Sequence, residues 1–120
     1  MKKALLFLVV IAACSAAVGE GSFVLDDGSI DGPSVIDASE TPSFYVTNEG
    51  DFNHTLVVAD SSGRVVAATD LIPPGSDARL EVDLTAGVYS VTCRIVTEDG
   101  EGNLIDHYEL GMHRTVVVNG

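Results

Sequence analysis

Four residues carry side chains whose combined chemistry suits a soft metal ion: His54, Cys93, His107 and Met112. Beyond an N-terminal leader, Cys93 is the only cysteine in the chain. An exported protein has little reason to keep an unpaired thiol unless that thiol has a function. A thiolate, two imidazoles and a thioether together form the ligand set of a mononuclear electron-transfer copper site. The residue types therefore indicate a copper site, provided that the fold brings these four positions together.

Each of these residues also has a simpler interpretation when it is taken alone. A solitary cysteine is most often a small buried hydrophobic residue, and a solitary methionine most often fills the core. A solitary histidine most often lies at the surface, and we expect this of His113, which directly follows Met112. Zinc would not recruit a methionine thioether. Nucleophilic catalysis by Cys93 would need an activating base and an open cleft, so we do not expect an enzyme.

Residues 1–17 have the organisation of a secretory signal peptide, in which two lysines precede an uninterrupted apolar stretch at 4–13. This stretch is too short to span a bilayer. Residues 11–14 resemble a bacterial lipobox, in which Cys14 would be lipidated, whereas the small residues that follow suit ordinary cleavage. The sequence thus predicts a signal peptide over residues 1–17 and an exported domain over residues 22–120. We expect the protein in the periplasm or at the cell surface, touching a membrane only through a lipid anchor at Cys14.

The chain is strongly acidic, with a formal net charge of −12 and 18 aspartates and glutamates, all of which lie beyond the leader. Its only lysines lie in the leader, so arginines are the only permanently positive side chains of the remaining domain. Such an acidic domain is unsuited to binding nucleic acid or an anionic membrane surface. Its charge instead favours a basic partner and helps to keep the domain a soluble monomer.

Alternating apolar and polar residues predict β-strands and no helix. Residues 77–84 alternate most cleanly, which predicts a half-buried strand in an antiparallel sheet. In residues 89–95 the same alternation directs Cys93 to the apolar face. The other predicted strands cover 44–48, 55–59, 64–68 and 114–118, with weaker ones at 23–25 and 34–36. Short strands separated by glycine and proline turns indicate an all-β sandwich.

The order of the sequence motifs resembles that of the cupredoxins, the small blue-copper proteins. These motifs are FYVTNEGDFNHTLVVAD, DLIPPGSDARLEVDL, TAGVYSVTC and HYELGMHRTVVV, and they follow one another between residues 44 and 118. The resemblance implies a Greek-key β-sandwich with one copper ion at one end. It also implies that His54, Cys93 and His107 are the equatorial copper ligands and that Met112 is the axial ligand.

One spacing departs from the cupredoxin pattern. Familiar members of the family have only a few residues between the cysteine and the second histidine, whereas residues 94–106 intervene here. This insertion is either a solvated excursion, since lengthening a loop costs little entropy, or a surface around His107 that tunes the choice of partner. A third interpretation is that Glu98, Asp99 or Asp106 supplies a carboxylate to the metal. Asp106 would alternatively orient the imidazole of His107.

The resemblance implies an exported electron carrier that moves single electrons between redox partners through one copper ion cycling between Cu(I) and Cu(II). Its partner would be a redox protein such as a cytochrome or an oxidase, docked briefly over a small area. Two other functions are compatible with the same residues. One is a periplasmic or cell-surface copper-handling protein, and the other is a metal-free cupredoxin-like interaction module.

Overall fold

The computed structural model describes residues 21–120 of the chain. The predicted signal peptide, with its lipobox at Cys14, lies outside the described residues. The described part contains a short 3₁₀ turn at Ala38–Glu40 and eleven β-strands. The strands are β1 (Ser22–Asp26), β2 (Ser29–Asp31), β3 (Val35–Asp37), β4 (Ser43–Asn48), β5 (Val57–Asp60), β6 (Val65–Ala68), β7 (Asp77–Glu81), β8 (Gly87–Thr92), β9 (Val96–Glu98), β10 (Leu104–Asp106) and β11 (His113–Asn119).

The strands form two main sheets and one separate hairpin. One sheet has the order β2-β1-β4-β7, the other has the order β3-β11-β8-β5-β6, and β9 pairs only with β10. Two pairs, β1 with β4 and β3 with β11, are parallel, whereas the remaining neighbours are antiparallel. The central strands β8 and β11 are bonded through six residue pairs, which makes them the firmest support for the residues that follow β8.

A single hydrophobic core lies between the two main sheets. Strands β1 and β4 contribute Phe23 and Phe44, whose ring centroids lie 4.9 Å apart. Strands β5, β8 and β11 contribute Val58, Val91 and Val116 from the opposite side, and all of these side chains are buried. Successive side chains of a strand point to opposite faces of its sheet, so every second residue of these strands faces the core. The predicted all-β sandwich is confirmed.

Two of the predicted strands are shorter than their alternation indicated. Strand β8 ends at Thr92, where its neighbours β5 and β11 both begin, although Cys93 still donates its N–H to the Met112 carbonyl, 3.0 Å away. Strand β7 ends at Glu81, because the next residue of its neighbour is Pro42, which has no N–H to donate. Val82 donates its N–H to the Pro42 carbonyl, 3.0 Å away, and then leaves the sheet. Alternation alone does not reveal where a neighbouring strand stops.

Three strands were not predicted from the sequence. Strand β2 is the return of a tight hairpin from β1, and strands β9 and β10 form a hairpin inside the insertion at 94–106. Each of the three has only three residues, too few for a period of two to be recognised. Among the described residues, no helix is long and apolar enough to cross a membrane.

Candidate metal centre

Three backbone segments meet at one end of the sandwich and place His54, Cys93 and His107 side by side. Cys93 directly follows β8, and its N–H still donates to the backbone of the segment that leads into β11. His107 directly follows β10 and donates its N–H to the carbonyl of Ile95 at 3.0 Å. His54 lies ahead of β5, in a two-way backbone bridge with Ile72. All three side chains therefore project from segments that are fixed by backbone hydrogen bonds.

The potential ligand atoms of these three residues all lie within 4.8 Å of one another. The Nδ1 atom of His54 lies 3.8 Å from Cys93 Sγ and 3.1 Å from His107 Nδ1. The exposed fractions are 0% for His54 and Cys93 and 1% for His107. The fold thus brings together the three residues that the sequence predicts as equatorial ligands, in a pocket that excludes solvent.

Each imidazole presents Nδ1 to this cluster and Nε2 to a partner outside it. His54 Nε2 lies 3.0 Å from a carboxylate oxygen of Asp27, and His107 Nε2 lies 3.0 Å from the hydroxyl oxygen of Thr97. Outer partners of this kind fix the orientation of imidazoles that bind metals. The two rings are therefore held with their Nδ1 atoms directed at a common point.

This arrangement suits a metal cation. Burial is the largest cause of a lowered pKa at His107, and the neighbouring His54 lowers that pKa further. The neutral imidazole of His107 consequently persists to lower pH, with a nitrogen lone pair free to act as a ligand. Two Nδ1 atoms 3.1 Å apart beside a buried thiol form a donor set that a shared cation would complete. A soft thiolate combined with two imidazoles fits copper.

Asp27 belongs to the site although no metal-binding motif in the sequence marked it. Its carboxylate accepts the N–H of Asp51 at 2.9 Å and that of Phe52 at 3.4 Å, besides contacting His54. Partial burial raises the pKa of Asp27, but the hydrogen bonds from Asp51, His54 and Phe52 outweigh it, so that the pKa is lowered. The only sequence signal was the Asp27-Gly28 dipeptide, which indicates a turn and does not identify a partner so distant in the chain.

Solved structures with the same architecture share little sequence with this chain. Auracyanin from Roseiflexus castenholzii matches with a TM-score of 0.61 and 15% identity, covering 81% of this chain and 94% of auracyanin. An azurin from Methylomonas sp. strain J matches with a TM-score of 0.60 and 18% identity, covering 84% and 98% of the two chains. A purple cupredoxin from Nitrosopumilus maritimus gives 0.56 and 14%, covering 82% and 99%. The chain has the cupredoxin fold.

This fold assignment comes from structure and not from sequence. No protein-family model and no curated protein matches the sequence. Because the solved structures named above are only 14% to 18% identical to the chain, the similarity establishes the cupredoxin architecture and leaves the chemistry of the site to its own residues. The resemblance predicted from the ordered motifs is confirmed at the level of the fold.

The insertion forms a hairpin of strands β9 and β10. Strands β9 and β10 pair Thr97 with Ile105, and both side chains are partly buried, whereas Leu104 is 75% exposed. Thr97 is the residue that contacts His107, and the ring of Phe52 meets the same imidazole edge-on, with centroids 5.9 Å apart. The hairpin and Phe52 together enclose the second histidine. The interpretation of the insertion as a surface around His107 agrees with this geometry.

The carboxylates of the insertion do not join the cluster. Among residues 21–120, the group able to hold a metal comprises only two histidines and one cysteine, without Glu98, Asp99 or Asp106. Asp99 instead accepts hydrogen bonds from its own turn, including the N–H of Asn103 at 2.9 Å. Asp106 accepts the N–H of Tyr108 at 3.0 Å and makes no hydrogen bond to His107. The geometry of the described residues therefore gives no support to a carboxylate ligand or to Asp106 as the orienting group, and Thr97 is the residue that contacts His107.

Met112 lies on the same segment as the second histidine and is completely buried. Its N–H donates to the carbonyl of His107 at 3.1 Å, and its carbonyl accepts the N–H of Cys93 at 3.0 Å. The backbone of Met112 is therefore bonded to both neighbouring members of the cluster. His113, the next residue, is exposed, as the sequence predicted.

A buried asparagine holds the loop that carries His54. The side-chain amide of Asn48 donates to the carbonyls of Phe52 and Ile72, each at 2.8 Å. Its oxygen accepts the N–H of Gly50, also at 2.8 Å. Asn48 thus fills the inside of the Asn-x-Gly turn and connects it to the strand segment that bridges His54. All three hydrogen bonds form within the protein and need no metal ion.

Proposed function

We propose that this protein is a small blue-copper protein that carries single electrons through one mononuclear copper ion. The observation that carries this proposal is the buried cluster of His54, Cys93 and His107, whose Nδ1 and Sγ atoms converge. Copper, when bound, supplies a one-electron couple between Cu(I) and Cu(II), and this mixed donor set is tolerable to both states. The cupredoxin fold supports the proposal without identifying the metal.

The protein contributes a cage whose shape does not depend on the charge state of the ion. His54 is fixed by its bridge to Ile72 and by Asp27, and His107 is fixed by Thr97. Burial prevents water from entering as an extra ligand. Little rearrangement between the two charge states means a small reorganisation energy, which is what rapid electron transfer requires.

Met112 is the proposed axial ligand. Its buried position and its backbone bonds to His107 and Cys93 support that role. A weak thioether donor stabilises Cu(II) slightly, so the axial residue tunes the potential. We therefore expect Met112→Leu to retain copper and to show a higher reduction potential than the unmodified protein in voltammetry. A potential that stays unchanged or falls would contradict an axial role for Met112.

The net charge of the chain and the burial of His107 suggest what kind of partner would dock. The chain carries a formal net charge of −12, which favours a basic redox protein such as a cytochrome or an oxidase and steers it at low salt. Because His107 is only 1% exposed, its edge does not reach solvent directly, and a partner would dock against the covering hairpin. We further propose an exported monomer, located in the periplasm or at the cell surface.

Reversible electrochemistry tests the proposed function against copper handling. A shuttle loaded with copper should show one reversible one-electron wave and should exchange electrons rapidly with a second copy of itself. A copper carrier should instead bind Cu(I) tightly, cycle poorly and surrender the metal to a competing chelator. Irreversible voltammetry combined with rapid copper release would overturn the electron-transfer proposal.

A further inference from the structure

The contact between Asp27 and His54 joins a proposed metal ligand to a carboxylate that is not itself in the cluster. It joins a carboxylate to an imidazole at 3.0 Å, between segments that are far apart in the chain. The imidazole is fully buried, and the Asp27 side chain is 34% exposed. A carboxylate placed against a buried ring in this way determines which ring nitrogen carries the proton.

The other hydrogen bonds of Asp27 determine which group donates the hydrogen in its contact with His54. Its Oδ1 accepts the N–H of Asp51 at 2.9 Å, and its Oδ2 lies 3.1 Å from the same N–H. The N–H of Phe52 lies 3.4 Å from Oδ1. Both carboxylate oxygens therefore act as acceptors. The remaining contact, with His54 Nε2, requires that this nitrogen be the donor.

We propose that Asp27 is a positioning residue that holds His54 as the Nε2–H tautomer and so keeps its Nδ1 unprotonated and directed at Cys93 and His107. The inference rests on the proposed function in one respect, namely that Nδ1 is the atom that binds copper. The tautomer itself is a property of the metal-free protein.

Gly50 provides independent support, because its lack of a side chain makes the contact possible. A Cβ atom added at Gly50 would lie 2.2 Å from Asp27 Oδ1 and 2.8 Å from His54 Nε2. Both distances are shorter than real Cβ contacts, so a residue larger than glycine requires Asp27, His54 or the turn itself to shift. The Asn-x-Gly turn therefore places a residue without a side chain where Asp27 and His54 meet.

The tautomer can be observed directly in the metal-free protein by nitrogen-15 and proton NMR of the imidazole. We expect His54 to show a protonated Nε2, an unprotonated Nδ1 and a downfield Nε2–H proton that exchanges slowly. Asp27→Ala should abolish the slowly exchanging proton. Asp27→Asn should retain it in part, because an amide oxygen still accepts a hydrogen bond. A proton on Nδ1 of His54, or an unchanged Nε2–H signal in Asp27→Ala, would overturn the inference.

Two further variants distinguish the positioning of His54 by Asp27 from the loss of a negative charge near the site. Asp51→Asn removes the same charge from an exposed position of the adjacent loop and should leave the His54 signals unchanged. Gly50→Ala keeps the Asp27 carboxylate but displaces it, and should reproduce the Asp27→Ala spectrum. Signals of the buried valines verify folding in each case. If Gly50→Ala retains the Nε2–H signal of the unmodified protein, the positioning role is contradicted.

Copper binding provides the second readout. Loss of an outer partner of a metal-binding imidazole typically weakens metal affinity about 10–100-fold, and we expect this for Cu(II) in Asp27→Ala but not in Asp51→Asn. If the NMR result holds but the unmodified protein binds no copper, the proposed function fails and the tautomer assignment stands. If copper binds and Asp27→Ala matches the unmodified protein in both readouts, the inference fails and the proposed function stands.

Discussion

Cys93→Ser is expected to abolish thiolate-to-copper charge transfer and to weaken copper retention, because only two imidazoles and the Met112 thioether would remain as donors. The thiol is completely buried and lies 3.8 Å from His54 Nδ1, so its sulfur is the soft donor of the cluster. A serine hydroxyl at this position neither ionises at neutral pH nor offers a soft donor to Cu(I). The metal-free protein should lose only about 1–3 kcal/mol of unfolding free energy, the cost of burying one poorly paired hydroxyl.

The appropriate control removes a different potential copper donor, one that lies outside the buried cluster. His113→Gln eliminates an exposed imidazole one residue beyond Met112 and should leave the charge-transfer band intact. Both variants and the reference protein should carry Cys14→Ser, so that no thiol other than Cys93 contributes to copper binding. Copper uptake is measured by equilibrium dialysis, and the band is measured by absorption. Normal copper retention and an unchanged band in Cys93→Ser would contradict the role of Cys93.

Asn48→Ala is expected to lower the unfolding free energy of the metal-free protein by about 3 kcal/mol. The amide is fully buried and makes three hydrogen bonds, each of 2.8 Å. Each such bond contributes about 1 kcal/mol, and the partners left unpaired in the interior add to the cost. Because these bonds hold Phe52, two residues before His54, and Ile72, which bridges His54, copper should also dissociate faster from this variant.

Asn53→Ala provides the matched comparison, since Asn53 is exposed in the same loop and directly precedes His54. Urea unfolding monitored by circular dichroism gives both free energies, and stopped-flow mixing with a chelator gives the release rates. Asn53→Ala should remain within about 0.5 kcal/mol of the unmodified protein, as exposed substitutions usually do. Equal stabilities for the two variants would show that the Asn-x-Gly turn does not depend on its buried amide.

The parts of this structure that could be predicted from sequence are those encoded locally. Alternation over 89–95 placed Cys93 on the apolar face, and it is completely buried. Alternation by itself continued the strand to Ile95, beyond the observed end at Thr92. The ordered motifs were sufficient to indicate the cupredoxin fold, even though sequence identity to the matched solved structures named above does not exceed 18%.

The groups that hold the two imidazoles could not be predicted, because their contacts are not local. Asp27 reaches His54 from a distant turn whose sequence indicates only a change of direction. Thr97 reaches His107 from a short strand inside an acidic insertion. The charges of that insertion drew attention to its carboxylates, whereas a neutral hydroxyl makes the contact. Single polar residues gain such roles from tertiary packing alone.

The optical and spin-resonance spectra of the copper-loaded protein test the central claim most directly. A Cu(II) ion held by Cys93, His54 and His107 should give an intense thiolate-to-copper absorption band in the visible range. It should also give a small copper hyperfine splitting, because the unpaired electron is shared with sulfur. A weak visible absorption with the large hyperfine splitting of a tetragonal nitrogen and oxygen site would contradict the claim.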